Sequence, residues 1–432
     1  MTRETPHGNA IARSIVDRTR ILKLLADHES WRAGTLNLIA SENVLSPAVH
    51  AALDSDLIGR YADYTGRDLA ARRYRGTTYV VEIEREVDRL AREVFRADFV
   101  ELRAMSGHLA GAAVLMALCR PGDVVLEIGR DGGGHREAGK FGGSELVPLD
   151  VRHLPIDAAR YNVDPGATAA LIAETKPRCV VLGSSNFLFP HPVREIRRAL
   201  AGLRDAYLVY DASHVMGLVA AGRFQDPLGE GADIVFGSTH KTFPGPQGGI
   251  VFANREDLIK RVSDVVYPAL VTNHHPFRMP ALGVALAEIQ AFGSAYADQI
   301  IANSQALGEA LVAVGVPCVT DGSIPPDGPR YSRSHTLLLR VAEFGNADEV
   351  AGRLEAAGII TTGGLLPDAL GGQGIRVGTQ EITRRGMTGS DMATVATLIF
   401  AALRADRPAA SIASDVSSLV GRFPSVQFTW PA

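Results

Sequence analysis

Between residues 179 and 253 the chain carries four short apolar runs, CVVL (179–182), AYLVYD (206–211), ADIVFGS (232–238) and GGIVFA (248–253), and none of them alternates apolar with polar residues. A strand with one wet face shows that alternation. A run without it is buried on both faces, as in a mainly parallel sheet with helices on either side. Upstream, from about residue 80, VEIEREVDRLAREVF, VELRAM, HLAGAAVLMALC and DVVLEIG alternate helical and extended character, which is an α/β layout. In such sheets ligands gather at the carboxyl ends of the strands. The polar residues that end the runs, Ser184, Ser185, Asp211, His214, Ser238, Thr239, His240 and Lys241, are therefore expected to converge on one crevice.

Apolar residues at three- and four-residue steps over 10–28 predict an amphipathic helix ahead of this domain. Beyond a bridging helix near 279–303, the pattern gives helix 303–314, strand 335–341, helix 347–357, the strand GIRVGT and helix 388–404. The expected division is an N-terminal helical arm at 1–45, a large domain at 46–280, and a bridging helix with a smaller C-terminal α+β domain at 281–432. The formal net charge of −4, with both signs interleaved, offers no basic footprint for nucleic acid and points to small-molecule partners. The start, MTRETPHGNA, has no apolar signal core, and no run reaches the roughly 18 apolar residues of a membrane span. A cytoplasmic protein without membrane contact is expected. Cys119, Cys179 and Cys318 lie far apart beside apolar neighbours, a pattern of reduced, buried thiols.

The strongest chemical signal is the strand followed by STHKTFPGPQGG at 238–249. A lysine at a strand end beside a crevice can form a Schiff base with an aldehyde cofactor, and small neighbours leave room for it. A lone lysine before a Gly-Pro turn is more commonly a surface residue. Here another apolar strand delivers Asp211, with His214 three residues later. A carboxylate so placed can hold a pyridine nitrogen protonated and make the ring an electron sink. GRDGGGH at 129–135 does not fit G-x-G-x-x-G, which argues against a dehydrogenase, and a non-catalytic binding protein predicts decay of Lys241 or Asp211.

In order along the chain stand LNLIASENVLSP, YADYTG, RRYRG, SG at 106–107, GGH at 133–135, DASHVMGLVAAG, THK, GPQGG and GIRVGTQEITRRG. From about residue 35 onward this series resembles the serine hydroxymethyltransferase family. The resemblance implies pyridoxal 5'-phosphate as cofactor and the type I fold of aspartate-aminotransferase-like transferases, assembled as a homodimer or a tetramer. Lys241 then matches the Schiff-base lysine, Asp211 the partner of the pyridine nitrogen, and His214 the histidine near the phenolic oxygen. Arg376 matches the arginine that grips the substrate carboxylate, a task suited to a planar bidentate donor, and Ser41 the serine beside it. Tyr61 matches a tyrosine that enters from the neighbouring subunit, and Asp63 stands where the family has a proton-handling glutamate. Ser106, Gly107, Ser185, Ser238 and His240 fall where the family contacts the cofactor or its phosphate.

The departures cluster around the substrate and one-carbon pockets. A Tyr-Tyr-Gly-Gly stretch reads Tyr74, Arg75, Gly76, Thr77; the ring-stacking histidine appears as Gly132, with His135 able to take its place; a phosphate-binding serine is His108; and a pterin-contacting asparagine falls near Gly364. His274 and His275 replace part of a glycine-rich stretch. On an extended segment their side chains point to opposite sides, so a phosphate or substrate contact is expected there and no metal. The expected chemistry is cleavage of a β-hydroxy-α-amino acid, L-threonine or L-serine, with Asp63 or His135 as the base. Transfer of the glycyl unit to a second aldehyde, a transaldolase reaction of the kind used in natural-product biosynthesis, is the first reading. The alternative is a serine/glycine or α-methylserine hydroxymethyltransferase using tetrahydrofolate, whose pocket these departures affect.

Overall fold

The computed structural model describes residues 6–142 and 147–431. A seven-stranded sheet runs in the order Phe99–Glu101, Gly249–Ala253, Ile234–Ser238, Tyr207–Asp211, Cys179–Leu182, Val124–Glu127, Asp150–His153. The last five are mutually parallel, and Gly249–Ala253 is antiparallel to both its neighbours. The non-alternating runs are buried on both faces as their composition requires. Along Tyr207–Asp211, Tyr207 and Val209 enter one core while Leu208 and Tyr210 enter the core on the opposite face. Cys119 and Cys179, distant in sequence, meet in the first of these cores as free buried thiols with sulfurs 3.4 Å apart.

The helix Thr78–Phe95 buries Val80, Val87, Leu90, Ala91 and Val94, packing mainly on the long helix Arg278–Ala313, and pairs Arg89 with Glu86 and Glu93 on its wet side. It ends at Arg96 in the left-handed region. The stretches read as two helices at 279–303 and 303–314 are one, Arg278–Ala313. Its first half, with Ala281, Leu282, Leu286 and Ile289, packs into the core of the large domain; Leu307 and Leu311 near its end pack into a second core. That second core is built on the three-stranded antiparallel sheet Thr336–Arg340, Gln373–Gly378, Thr362–Leu365. Leu36 and Leu38 also belong to it, because Leu36–Asn37 pairs in parallel with Ile359–Ile360. The segment after the N-terminal helix, Pro6–Ala33, thus packs with the C-terminal domain. Among the described residues no helix is long and apolar enough to cross a membrane.

Candidate active site

Because five strands are parallel, their carboxyl ends open on one side, and the predicted crevice lies there. Asp211 ends its strand, Ser238 ends the next, and Lys241 follows in a short turn. They border a cavity of about 190 Å³ together with Ser106, Gly107, His108, His135, Ser185, His214 and His240. Glu137 and Ser213 complete the lining, and neither was foreseen.

Ser106 caps the helix Gly107–Leu118, its hydroxyl accepting from the Leu109 amide at 3.1 Å. The free amides of that first turn face the cavity end and suit a phosphate. Gly107 is required by closeness: a Cβ there would lie 2.3 Å from Ser238 Oγ and 3.2 Å from Ser213 Oγ. Asp211 is buried and accepts from the Ser213 amide at 2.8 Å. His214 is buried, its Nδ1 without a partner and its ring stacked on His335 at 5.9 Å. Burial first, then the charge of Lys241, holds His214 well below the ordinary histidine range. Loss of water pushes the Lys241 amine down to about 8, against which Asp211 works. A buried carboxylate, an amine with lowered proton affinity, a cradle kept open by glycine, a helix N-terminus and an orphaned imidazole nitrogen fit pyridoxal phosphate.

Arg376 sits outside this cavity. Its guanidinium donates to the Ser185 carbonyl at 2.8 Å, and partial burial lowers its proton affinity to about 10. Arg376 and Ser185 line a larger cleft of about 700 Å³, between the 130–134 turn and the small-domain hairpin 362–376. Ser185 therefore belongs to both spaces, and Arg376 lines the larger one.

Other predicted residues lie elsewhere in the single chain. Ser41 lines a neighbouring cleft with His240 and Gln247. Tyr61 and Tyr74 are exposed, their rings 5.4 Å apart, and Arg75 is exposed beside them. Asp63 is buried apart from the Lys241 cavity, with Oδ1 4.0 Å from His274 Nδ1. His274 bonds the buried Glu84 at 2.6 Å, so its partner is a protein carboxylate and not the phosphate or substrate expected from sequence. His275 turns away and stacks on Phe277. Gly132 faces Ile156 and Ile128, whereas His135 borders the cavity.

Set against known proteins, this geometry has close counterparts. A family model described as serine hydroxymethyltransferase matches residues 16–399. The chain belongs to the serine hydroxymethyltransferase family. It is 41% identical over 387 residues to a serine hydroxymethyltransferase of Methanosphaera stadtmanae, covering 88% of this chain and 89% of that one. A serine hydroxymethyltransferase of Methanopyrus kandleri is 40% identical over 415 residues, 94% of each chain. Among solved structures, an L-threonine transaldolase from Pseudomonas fluorescens superposes with a TM-score of 0.88 at 27% identity, covering 98% of this chain and 95% of that one. The chain is thus a pyridoxal-phosphate-dependent, serine hydroxymethyltransferase-like enzyme of fold type I.

Proposed function

We propose that the enzyme cleaves L-threonine or L-serine and transfers the glycyl unit to a second, larger aldehyde. The observation that carries this reading is the cleft beside Arg376. Gly363 and Gly364 form part of its wall, and a Cβ at Gly364 would meet nothing within 4 Å. Where the family's pterin-contacting asparagine is expected, this chain has open space of a size for an acceptor. The likeness to a threonine transaldolase supports the same reading.

When bound, pyridoxal phosphate supplies an aldehyde for the amine and a ring that draws electrons from the α-carbon. Lys241 holds it through an amine that is substantially neutral, hence nucleophilic, near pH 8. Asp211, the buried carboxylate at the end of its strand, would keep a proton on the ring nitrogen of the bound group. Arg376 binds the substrate carboxylate with the donors that Ser185 leaves free. His135, on the cavity wall of the same chain, is the group placed to handle the β-hydroxyl proton. Its Glu137 contact orients the ring.

The working form is proposed as a homodimer. Tyr61, Tyr74 and Tyr79, and Ile15, Val16, Ile21, Leu22, Leu24 and Leu25 along the first helix, are exposed in the single chain, more apolar surface than a monomer ordinarily leaves in water. The second reading, a tetrahydrofolate-dependent hydroxymethyltransferase, draws on the family and on the names of the archaeal relatives. Aldehyde release from L-threonine and L-serine by the holoenzyme, with and without tetrahydrofolate and with bulky acceptor aldehydes, separates the two. Folate-independent acetaldehyde release with a new β-hydroxy amino acid is the expected outcome. Turnover of serine only with folate selects the second reading.

A further inference from the structure

We infer that Glu137 is a positioning residue that fixes the tautomer and ring plane of His135. Glu137 is almost fully buried at the edge of the Lys241 cavity. Its Oε2 lies 2.7 Å from His135 Nδ1, and its Oε1 faces His108 Nδ1 at 2.5 Å. Lys140 Nζ sits beside the same ring, 2.7 Å from Nε2 and 3.3 Å from Nδ1. An ammonium only donates and a carboxylate only accepts. The ring therefore carries a hydrogen on Nδ1, the nitrogen that faces the Glu137 carboxylate.

The carboxylate is itself held. Glu127, ending its sheet strand, accepts from the amides of Ala138 and Gly139 at 2.9 Å each, which pins the turn of chain that carries Glu137. Gly111 on the facing helix leaves the space: a Cβ there would lie 2.7 Å from Glu137 Cγ. Among the described residues, the charged and titratable groups around His135 include Glu137 and Lys140 on its own segment, His108 from the helix Gly107–Leu118, His214 after the strand Tyr207–Asp211, and Asp211 itself, which acts on Lys140. These three ligand-type residues, His108, His135 and Glu137, also have the composition of a cation site. Contacts of 2.5 and 2.7 Å are too short for it, because ligands of one tetrahedral ion stand roughly 3.3 Å apart.

The inference rests on His135 being the histidine of the Lys241 cavity, and its test does not depend on turnover. Glu137→Gln keeps the shape but replaces one acceptor oxygen with a donor. Long-range 1H–15N spectra, with His135 assigned by its loss in His135→Ala, are expected to show the Nδ1–H form in the parent enzyme and a mixture or the Nε2–H form in Glu137→Gln. In the threonine cleavage assay, Glu137→Gln is expected to lose roughly tenfold or more in kcat, and to add nothing to the loss in His135→Ala. Lys140→Met, at an exposed position, is expected to shift the same histidine signals without lowering the melting temperature. An unchanged His135 tautomer in Glu137→Gln, or losses that multiply in the double variant, would overturn the inference. If threonine is not cleaved at all, the proposed reaction fails while the spectra still decide the role of Glu137.

Discussion

Lys241 shows how far one side chain's surroundings determine its chemistry. In water its amine would be protonated far above neutrality; at the foot of its strand, desolvation brings it to about 8. Because the neutral amine is the reactive form, uptake of pyridoxal phosphate by the apoenzyme is expected to accelerate up to about pH 8 and then level off. Stopped-flow visible absorbance measures this; a rate still climbing past pH 10 would contradict it. Lys241, Asp211 and His214 were legible in the sequence because a polar residue just after an apolar run has one place to go, the carboxyl end of the sheet. Glu137 was not legible. Its meaning depends on His108, which is on another helix, and nothing in HREAGK announces that contact.

At the scale of elements, the site depends on how closely short segments approach one another. The helix Met216–Ala220 presses onto the turn after Lys241: Gly217 N–H donates to Thr242 Oγ1 at 3.0 Å, and that hydroxyl donates to the His214 carbonyl at 2.8 Å. A Cβ at 217 would lie 2.2 Å from the Thr242 carbonyl oxygen and 2.4 Å from its carbon. Backbone cannot yield as a side-chain tip can. Gly217→Ala is therefore expected to cost about 1–3 kcal/mol and to weaken cofactor binding by moving Lys241. Gly364→Ala, with nothing within 4 Å, serves as the contrast and is expected to leave the melting temperature nearly unchanged. Equal effects from the two would refute this account. The helices and strands themselves, by comparison, were open to reading from periodicity, though their order in the sheet was not. The 279–314 stretch was divided in two only because its apolar face changes partners midway, from one core to the other.

In the whole molecule, two cores are joined by the helix Arg278–Ala313, and buried histidines tie their stability to pH. Burial pushes His191 down to about 3, and His335, packed between His214 and the Ala40 carbonyl, to about 3 as well. The unfolded chain takes up these protons near 6.5 and the folded chain only near 3, so the unfolded state binds more protons in that window. Stability is then present above pH 6.5 and lost as pH falls toward 3. The melting temperature of the holoenzyme is expected to drop between pH 7 and pH 5, and the drop to shrink in His191→Gln. An identical drop in that variant would remove His191 from the explanation.

The sequence by itself determined the layered α/β class, the buried parallel strands and the cluster around Lys241, because burial on both faces and a polar residue at each strand end are local patterns. The ordered motifs likewise pointed to the family and its cofactor. Only the tertiary structure decided that Ser185 joins the cofactor cavity to a larger cleft lined by Arg376, that Asp63 is buried beside His274, and that Glu137 faces two histidines. The first is a contact between the two cores and the second joins distant segments of one of them, while the third depends on the helix that brings His108 to Glu137; no spacing along the sequence encodes such approaches.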